Sequence, residues 1–189
     1  PETVVAPAPT PQALTGAGMD STEARKAVAA KADAVVQAIA NQNFGKLKLY
    51  IHPTRGLRFS PYANIDTSIH QVLTPEQVGT LPNGTERLWG YADGSGKPIR
   101  MPFSEYYKQY VYNKPYANAE TIGYNHIVGG GNMIYNYRDI YPDAIMVEYY
   151  LPGSEEKYAG MDWGSLILVF TPYKGEWYLT SLAHGQWTI

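Results

Sequence analysis

The chain has 189 residues, 44% of them hydrophobic, with 15 basic and 17 acidic side chains for a net charge of −2. That length supports one sizeable core and is short for two. No surplus of Lys and Arg exists to neutralise phosphates, which argues against nucleic acid as a partner. The longest apolar runs, such as 165–170, fall far short of a bilayer, and zero Cys excludes disulfides, thiolate zinc sites and thiol nucleophiles.

Residues 1–18 carry four Pro and almost no charge. Such a stretch favours extended polyproline-like chain and cannot bury a core, so 1–19 is expected to be a disordered Pro-rich tether and 20–189 a single α+β domain. A tether there makes most sense if something upstream holds the protein to a surface. The first helix follows at once. Asp20 or Ser21 can cap it, with Glu23 as capping-box partner, and Val28, Ala32, Val35, Val36 and Ile39 form one apolar stripe. Phe44, Leu47 and Ile51 continue as a short second helix that His52 and Pro53 stop.

The period then changes. Residues 57–62 read as a strand interrupted by Pro61, and Thr74 and Pro75 open a helical turn. Residues 86–92 and 97–101 flank Asp93-Gly94-Ser95-Gly96, a hairpin signal. Phe103, Tyr107, Tyr110 and Val111 predict a third helix reaching about Tyr112. Segments 120–128, 144–150, 165–170 and 176–183 are rich in Ile, Val, Tyr, Phe and Leu, with Gly or Pro between them. They predict one antiparallel sheet. Residues 166–170 are apolar at every position, as a central strand covered on both faces requires, and Tyr173-Lys174-Gly175 turns the chain into the last strand.

The motifs that would carry chemistry fail in detail. The stretch 93–97, DGSGK, lacks the first Gly of a phosphate loop, has Pro98 where Ser or Thr would hold magnesium, and lies between strands. Gly129-Gly130-Gly131 lacks dinucleotide-loop spacing and reads as chain reversal or close backbone packing. His52, His70, His126 and His184 show no i+3 or i+4 pairing, and no G-x-S-x-G is present. No cofactor or metal is therefore expected. Glu148 sits in an apolar run, where a charge must be paired or surface-facing. Asp162 is expected to bind backbone amides at a strand entry, and Arg58 to bind a carboxylate or pair with Asp162 or Glu148. The 17 Tyr, against 4 Phe and 4 Trp, suit half-wet structural surfaces and equally an aromatic cleft for a sugar or peptide.

The order helix, helix, strand, hairpin, helix, meander resembles the nuclear-transport-factor-like cone, the α+β roll of scytalone dehydratase and ketosteroid isomerase. HPTRGLRFSPYANID (52–66), LWGYADGSGKPI (88–99), GMDWGSLILVF (160–170) and HGQWTI (184–189) look like an uncharacterised family of bacterial envelope lipoproteins. The resemblance implies N-terminal helices packed on a curved, mostly antiparallel sheet, in an extracytoplasmic domain lipid-anchored to the bacterial cell envelope. It brings no activity, because the cone hosts enzymes and binding modules alike. Arg58, Tyr62, Asp162, Trp163, His184 and Trp187 come from three of those stretches and make the candidate ligand-binding set, expected to converge on one cavity. Three function classes follow: an anchored ligand-binding or scaffold domain without chemistry, a hydrolase, lyase or isomerase using His184, Asp162 and Tyr side chains, and a protein-interaction module. The first leads.

Overall fold

The structure, a computed structural model, describes residues 13–130 and 133–187. The stretch 1–12, most of the expected tether, lies outside the described residues. The part of it that is described lies against the domain. Gly16 N donates to Asp143 O at 2.9 Å, Thr15 Oγ1 to Asp143 Oδ1 at 2.9 Å, and Leu14 and Met19 rest on the edge of the core.

Helix α1 (Ser21–Ala40) starts where the cap residues place it. Asp20 accepts from Glu23 N and Glu23 reaches back to Asp20 N. Ala24, Val28, Ala32, Val35, Val36 and Ile39 are buried along one face. A fully buried Val or Ile contributes roughly 1.5–3 kcal/mol against about 1 kcal/mol for a cap, so packing holds this helix and the cap only sets its start. Next come α2 (Phe44–Leu47), β1 (Leu57–Ser60), β2 (Val72–Leu73), α3 (Pro75–Gly79), the hairpin β3 (Glu86–Tyr91) and β4 (Pro98–Pro102), and α4 (Phe103–Tyr106). The third helix does not stay α throughout. Residues Tyr107–Val111 widen into a π turn in which Tyr112 N donates to Tyr107 O at 2.8 Å. Apolar spacing cannot distinguish that turn from an α-helical one.

Strands β5 (Thr121–Tyr124), β6 (Ile145–Leu151), β7 (Gly164–Tyr173) and β8 (Glu176–Gln186) form the expected antiparallel meander, with the short α5 (Tyr137–Ile140) between the first two. Strand β1 then adds parallel to β8, and β2 antiparallel to β1, giving the order β2-β1-β8-β7-β6-β5. The fold class is thus α+β, with helices on a six-stranded, mostly antiparallel sheet.

Alternation along β7 sorts the core in two. Leu166, Leu168 and Phe170 join α1 and an aromatic group of Phe44, Phe59, Trp89, Phe103 and Tyr106. Ile167 and Val169 point the other way, to Met146, Ala183, Tyr137 and Tyr141 under the segment 125–143. Strand β7 is covered on both faces, as its continuous apolar run requires.

Glu148 departs from expectation. It is fully buried, neither paired with a cation nor facing solvent. Four donors meet it instead: Val128 N at 2.7 Å, Gly129 N at 3.1 Å, Tyr135 Oη at 3.0 Å and Ser165 Oγ at 2.6 Å. Two of these come from the backbone where the glycine stretch begins and one from Tyr135, thirteen residues before Glu148, so hydrogen bonds do the work expected of a counter-charge. Gly129 fits there because it has no side chain. A Cβ would lie 2.6 Å from Glu148 Oε1 and 2.8 Å from the Trp163 ring, which makes this a close backbone approach.

Candidate functional site

Strand β1 ends at Ser60 because Pro61 cannot donate to a ladder. Residues 61–71 then form a compact loop that returns as β2. Asp66 organises it, accepting from Ser68 N at 2.9 Å and Ser68 Oγ at 2.6 Å, while its backbone oxygen accepts from His70 N at 2.9 Å. The Ser68 bonds hold the Asp66 carboxyl below the usual carboxylate range.

His70 closes the loop on itself. Its Nδ1 accepts from Asp66 N at 3.0 Å and lies 3.0 Å from Ser60 Oγ. A nitrogen that accepts a backbone N–H carries no proton, so the neutral ring holds its proton on Nε2. Burial pushes the His70 pKa down to about 4, with the Asp66 carboxylate opposing and the Arg58 guanidinium adding to the fall.

Two further elements lean on this loop. In the hairpin, Gly90 approaches so closely that a Cβ would lie 3.0 Å from Pro61 Cγ and 3.4 Å from the His70 ring. Past β3, Asp93 N donates to Tyr62 Oη at 3.1 Å. From the other side Asn136 clamps Ile65, accepting from its N at 2.8 Å and donating to its O at 2.9 Å. That clamp ties the segment carrying Met133 and Ile134 to the loop.

Between these three walls lies a cleft of about 300 Å³. Tyr62, Asn64, Asp66, His70, Tyr91 and Asp93 form its polar wall, and Ile69, Met133 and Ile134 its apolar one. No Lys or Arg lines it among the described residues. A hollow of about 370 Å³ also separates the first turn of α1 from β5, walled by residues such as Arg25, Glu120 and His126. None of those three side chains is held by a hydrogen bond among the described residues. Three polar side chains of the cleft are held, which marks the cleft as the better-prepared site.

Of the six residues singled out in the sequence, Tyr62 lines the cleft. Arg58 lies behind it, donating to His70 O at 3.0 Å, Thr67 O at 3.4 Å and Tyr141 Oη at 3.1 Å. It pairs with neither Asp162 nor Glu148. Carbonyls of its own loop take the guanidinium, and Glu148 is already satisfied. Asp162 does what a strand-entry Asp does, accepting from Ser154 N at 2.9 Å and Glu155 N at 3.2 Å. The Ser154 amide holds its carboxyl below the ordinary range. Trp163 is buried, its ring 5.9 Å from that of Tyr150. Trp187 is 41% exposed beyond the end of β8.

His184 is sealed on the helix side of the sheet. Its Nε2 lies 3.1 Å from Gln186 Oε1, its ring meets Tyr110 edge-on at 6.1 Å, and Nδ1 has no partner among the described residues. Burial pushes its pKa down to about 4. Tyr110 in turn lies 6.2 Å from Tyr62, so His184 touches the cleft only through two rings.

Sequence reasoning missed His70, Asp66, Asn64, Tyr91 and Asp93. Asp66 and Asn64 do end the stretch 52–66, and Asp93 opens the hairpin turn. A polar cluster directly after a Pro-terminated strand was the signal available.

No family model matches the chain, and no curated protein matches it. One similar solved structure is described as a calcium/calmodulin dependent protein kinase II association domain from Xanthomonas campestris. It shares 14% identity at a TM-score of 0.37, over 95% of this chain and 97% of that one. A likeness that weak passes no property to this protein.

Proposed function

We propose that this protein is a non-enzymatic binding domain that takes a small polar ligand, a sugar or short peptide, in the cleft between the 61–71 loop and the β3–β4 hairpin. One observation carries the reading. Tyr62, Asp66 and His70 are each fixed by hydrogen bonds from the protein itself, so half of the polar wall needs no ordering when a ligand arrives. The half-exposed Tyr91 ring adds an aromatic face beside them.

The same bonds speak against catalysis there. His70 presents N–H and keeps its basic nitrogen occupied, so it orients an acceptor and cannot take up a proton from a substrate. No Ser, Thr or Lys lines the cleft among the described residues, so its only hydroxyls are the phenols of Tyr62 and Tyr91, and a neutral phenol is a weak nucleophile. His184 is closed to any substrate by the rings in front of it.

The reading includes an extracytoplasmic, envelope-anchored setting and membership of a lipoprotein family on the cone fold. The Pro-rich run supports it, together with the four stretches that resemble that family. The membrane then matters only through a lipid anchor.

Isothermal titration against a panel of monosaccharides and short peptides tests the binding reading, with Tyr91→Ala as control because that ring is exposed enough to remove without cost to the core. The panel member that binds is expected to lose about two- to tenfold in affinity in Tyr91→Ala, as one aromatic contact is worth roughly 0.5–1.5 kcal/mol. Unchanged affinity in the variant places the ligand elsewhere and ends the proposal.

A further inference from the structure

The charge of the cleft sets the kind of ligand it takes. The sequence left Arg58 to bind a carboxylate or to pair with Asp162 or Glu148, and the structure removes both options. Its guanidinium bonds Tyr141 and the carbonyls of Thr67 and His70 behind the loop. What faces the cleft is two carboxylates, Asp66 and Asp93, with no cation beside them among the described residues. An anionic ligand would meet two like charges and no cation among the described residues.

The acidic pair stands in a walled cleft, and the walls narrow the choice further. Tyr62 and Tyr91 offer ring faces, on which an ammonium group is attracted within about 6 Å of the centroid. His70 Nε2–H and the Asn64 amide are donors, and they need oxygen acceptors on the same ligand. Among the described residues no three His, Asp or Glu side chains are grouped to hold a metal ion. The positive charge is therefore organic.

Resting on the binding reading above, we infer that the cleft selects a small hydroxylated primary amine, the chemical class of the free hexosamines. Its ammonium group sits between Asp93 and the Tyr91 ring, its hydroxyl oxygens accept from His70 and Asn64, and its carbon face lies along Met133 and Ile134.

The test uses the full chain and three related sugars in an NMR titration: glucosamine, N-acetylglucosamine and glucuronate. Asp93 is the side chain to neutralise. It makes no side-chain hydrogen bond among the described residues, whereas Asp66 caps its own loop. Glucosamine should bind about five- to tenfold more tightly than N-acetylglucosamine, as expected for one charge-assisted contact, and shift the amides of Asn64, His70, Tyr91 and Asp93. That preference should shrink towards unity in Asp93→Asn and in 1 M salt, where screening acts within about 3 Å. Glucuronate should not bind. Equal affinity for glucosamine and its N-acetyl form, or a preference that survives Asp93→Asn, overturns the amine inference and leaves the binding reading standing. No shift with glucosamine overturns the inference as well. Shifts that map away from the cleft, for any of the three sugars, overturn the binding reading itself.

Discussion

The two faces of the sheet are covered by different physics. On one, α1, α2 and the aromatic group around Phe59 and Trp89 lie on Leu166, Leu168 and Phe170, a contact built mainly from apolar area, with Tyr107 Oη donating to Ile39 O at 2.6 Å and Tyr149 Oη to Asp33 at 2.6 Å. On the other, the described residues of the segment 125–143 contribute a smaller apolar cluster and are fastened by hydrogen bonds, three to Glu148 and two between Asn136 and Ile65. Apolar area is non-directional and tolerant. A hydrogen-bonded node fixes position, and leaving one of its members unmet costs free energy. The cleft forms where the second kind of cover meets the 61–71 loop, so the candidate site is positioned by polar contacts and the fold by apolar ones.

That difference can be broken at Leu168, which should give the largest effect. Leu168→Ala is expected to cost about 2–5 kcal/mol in urea unfolding, as a cavity in a packed core does. A cost below about 1 kcal/mol, the range of surface changes, would mean that the strand is not central. Glu148→Gln sharpens the comparison from the other face. It sets an amide N–H against a backbone N–H, for an expected loss of about 1–3 kcal/mol, with hydrogen exchange at Val128 and Gly129 accelerating more than at residues of α1. Equal acceleration on both faces would merge the two covers into one cooperative unit.

Acid should weaken both layers together. His184 in the helix-side core and His70 at the cleft both have pKa values pushed down by burial to about 4, while the unfolded chain takes up the proton near 6.5. Stability is therefore full above about pH 6.5 and falls as pH drops towards 4, with each histidine adding up to about 1.4 kcal/mol per pH unit. Urea midpoints at pH 7 and pH 5 measure the fall. An imidazole resonance of His184 titrating above pH 6 would contradict its burial.

A smaller change is expected from removing residues 1–19. The tether reading implied no effect, but Leu14, Met19 and the bonds to Asp143 are lost with it, for about 1–2 kcal/mol. A thermal melt should move down by a few degrees. Smallest of all is Trp187→Ala at an exposed position, expected within about 0.5 kcal/mol of the parent.

Most of the fold was legible because it rests on period. The α1 stripe, the Thr74–Pro75 start of α3, the hairpin around Asp93 and the four meander strands all announce themselves locally. The parallel seat of β1 beside β8 does not. A strand pattern states which residues face one way and gives no partner 120 residues away. The site was less legible for the same reason. His70, Asp66 and Asp93 meet because a loop, a hairpin and Asn136 converge, and their meaning is in the hydrogen bonds. Asp162 binds backbone amides as its place at a strand entry suggests, whereas Arg58 was noticed as a charge, yet two of its three partners are carbonyls of its own loop, which every sequence contains.

The central claim is that the cleft beside His70 is the ligand site. A crystal structure of the full chain grown with the tightest-binding sugar tests it most directly. The account predicts ligand density between Tyr62, Tyr91 and Asp93, with a ligand oxygen within hydrogen-bonding distance of His70 Nε2. Ligand seated in the hollow between α1 and β5, or on Trp187, with nothing in the cleft, would contradict it.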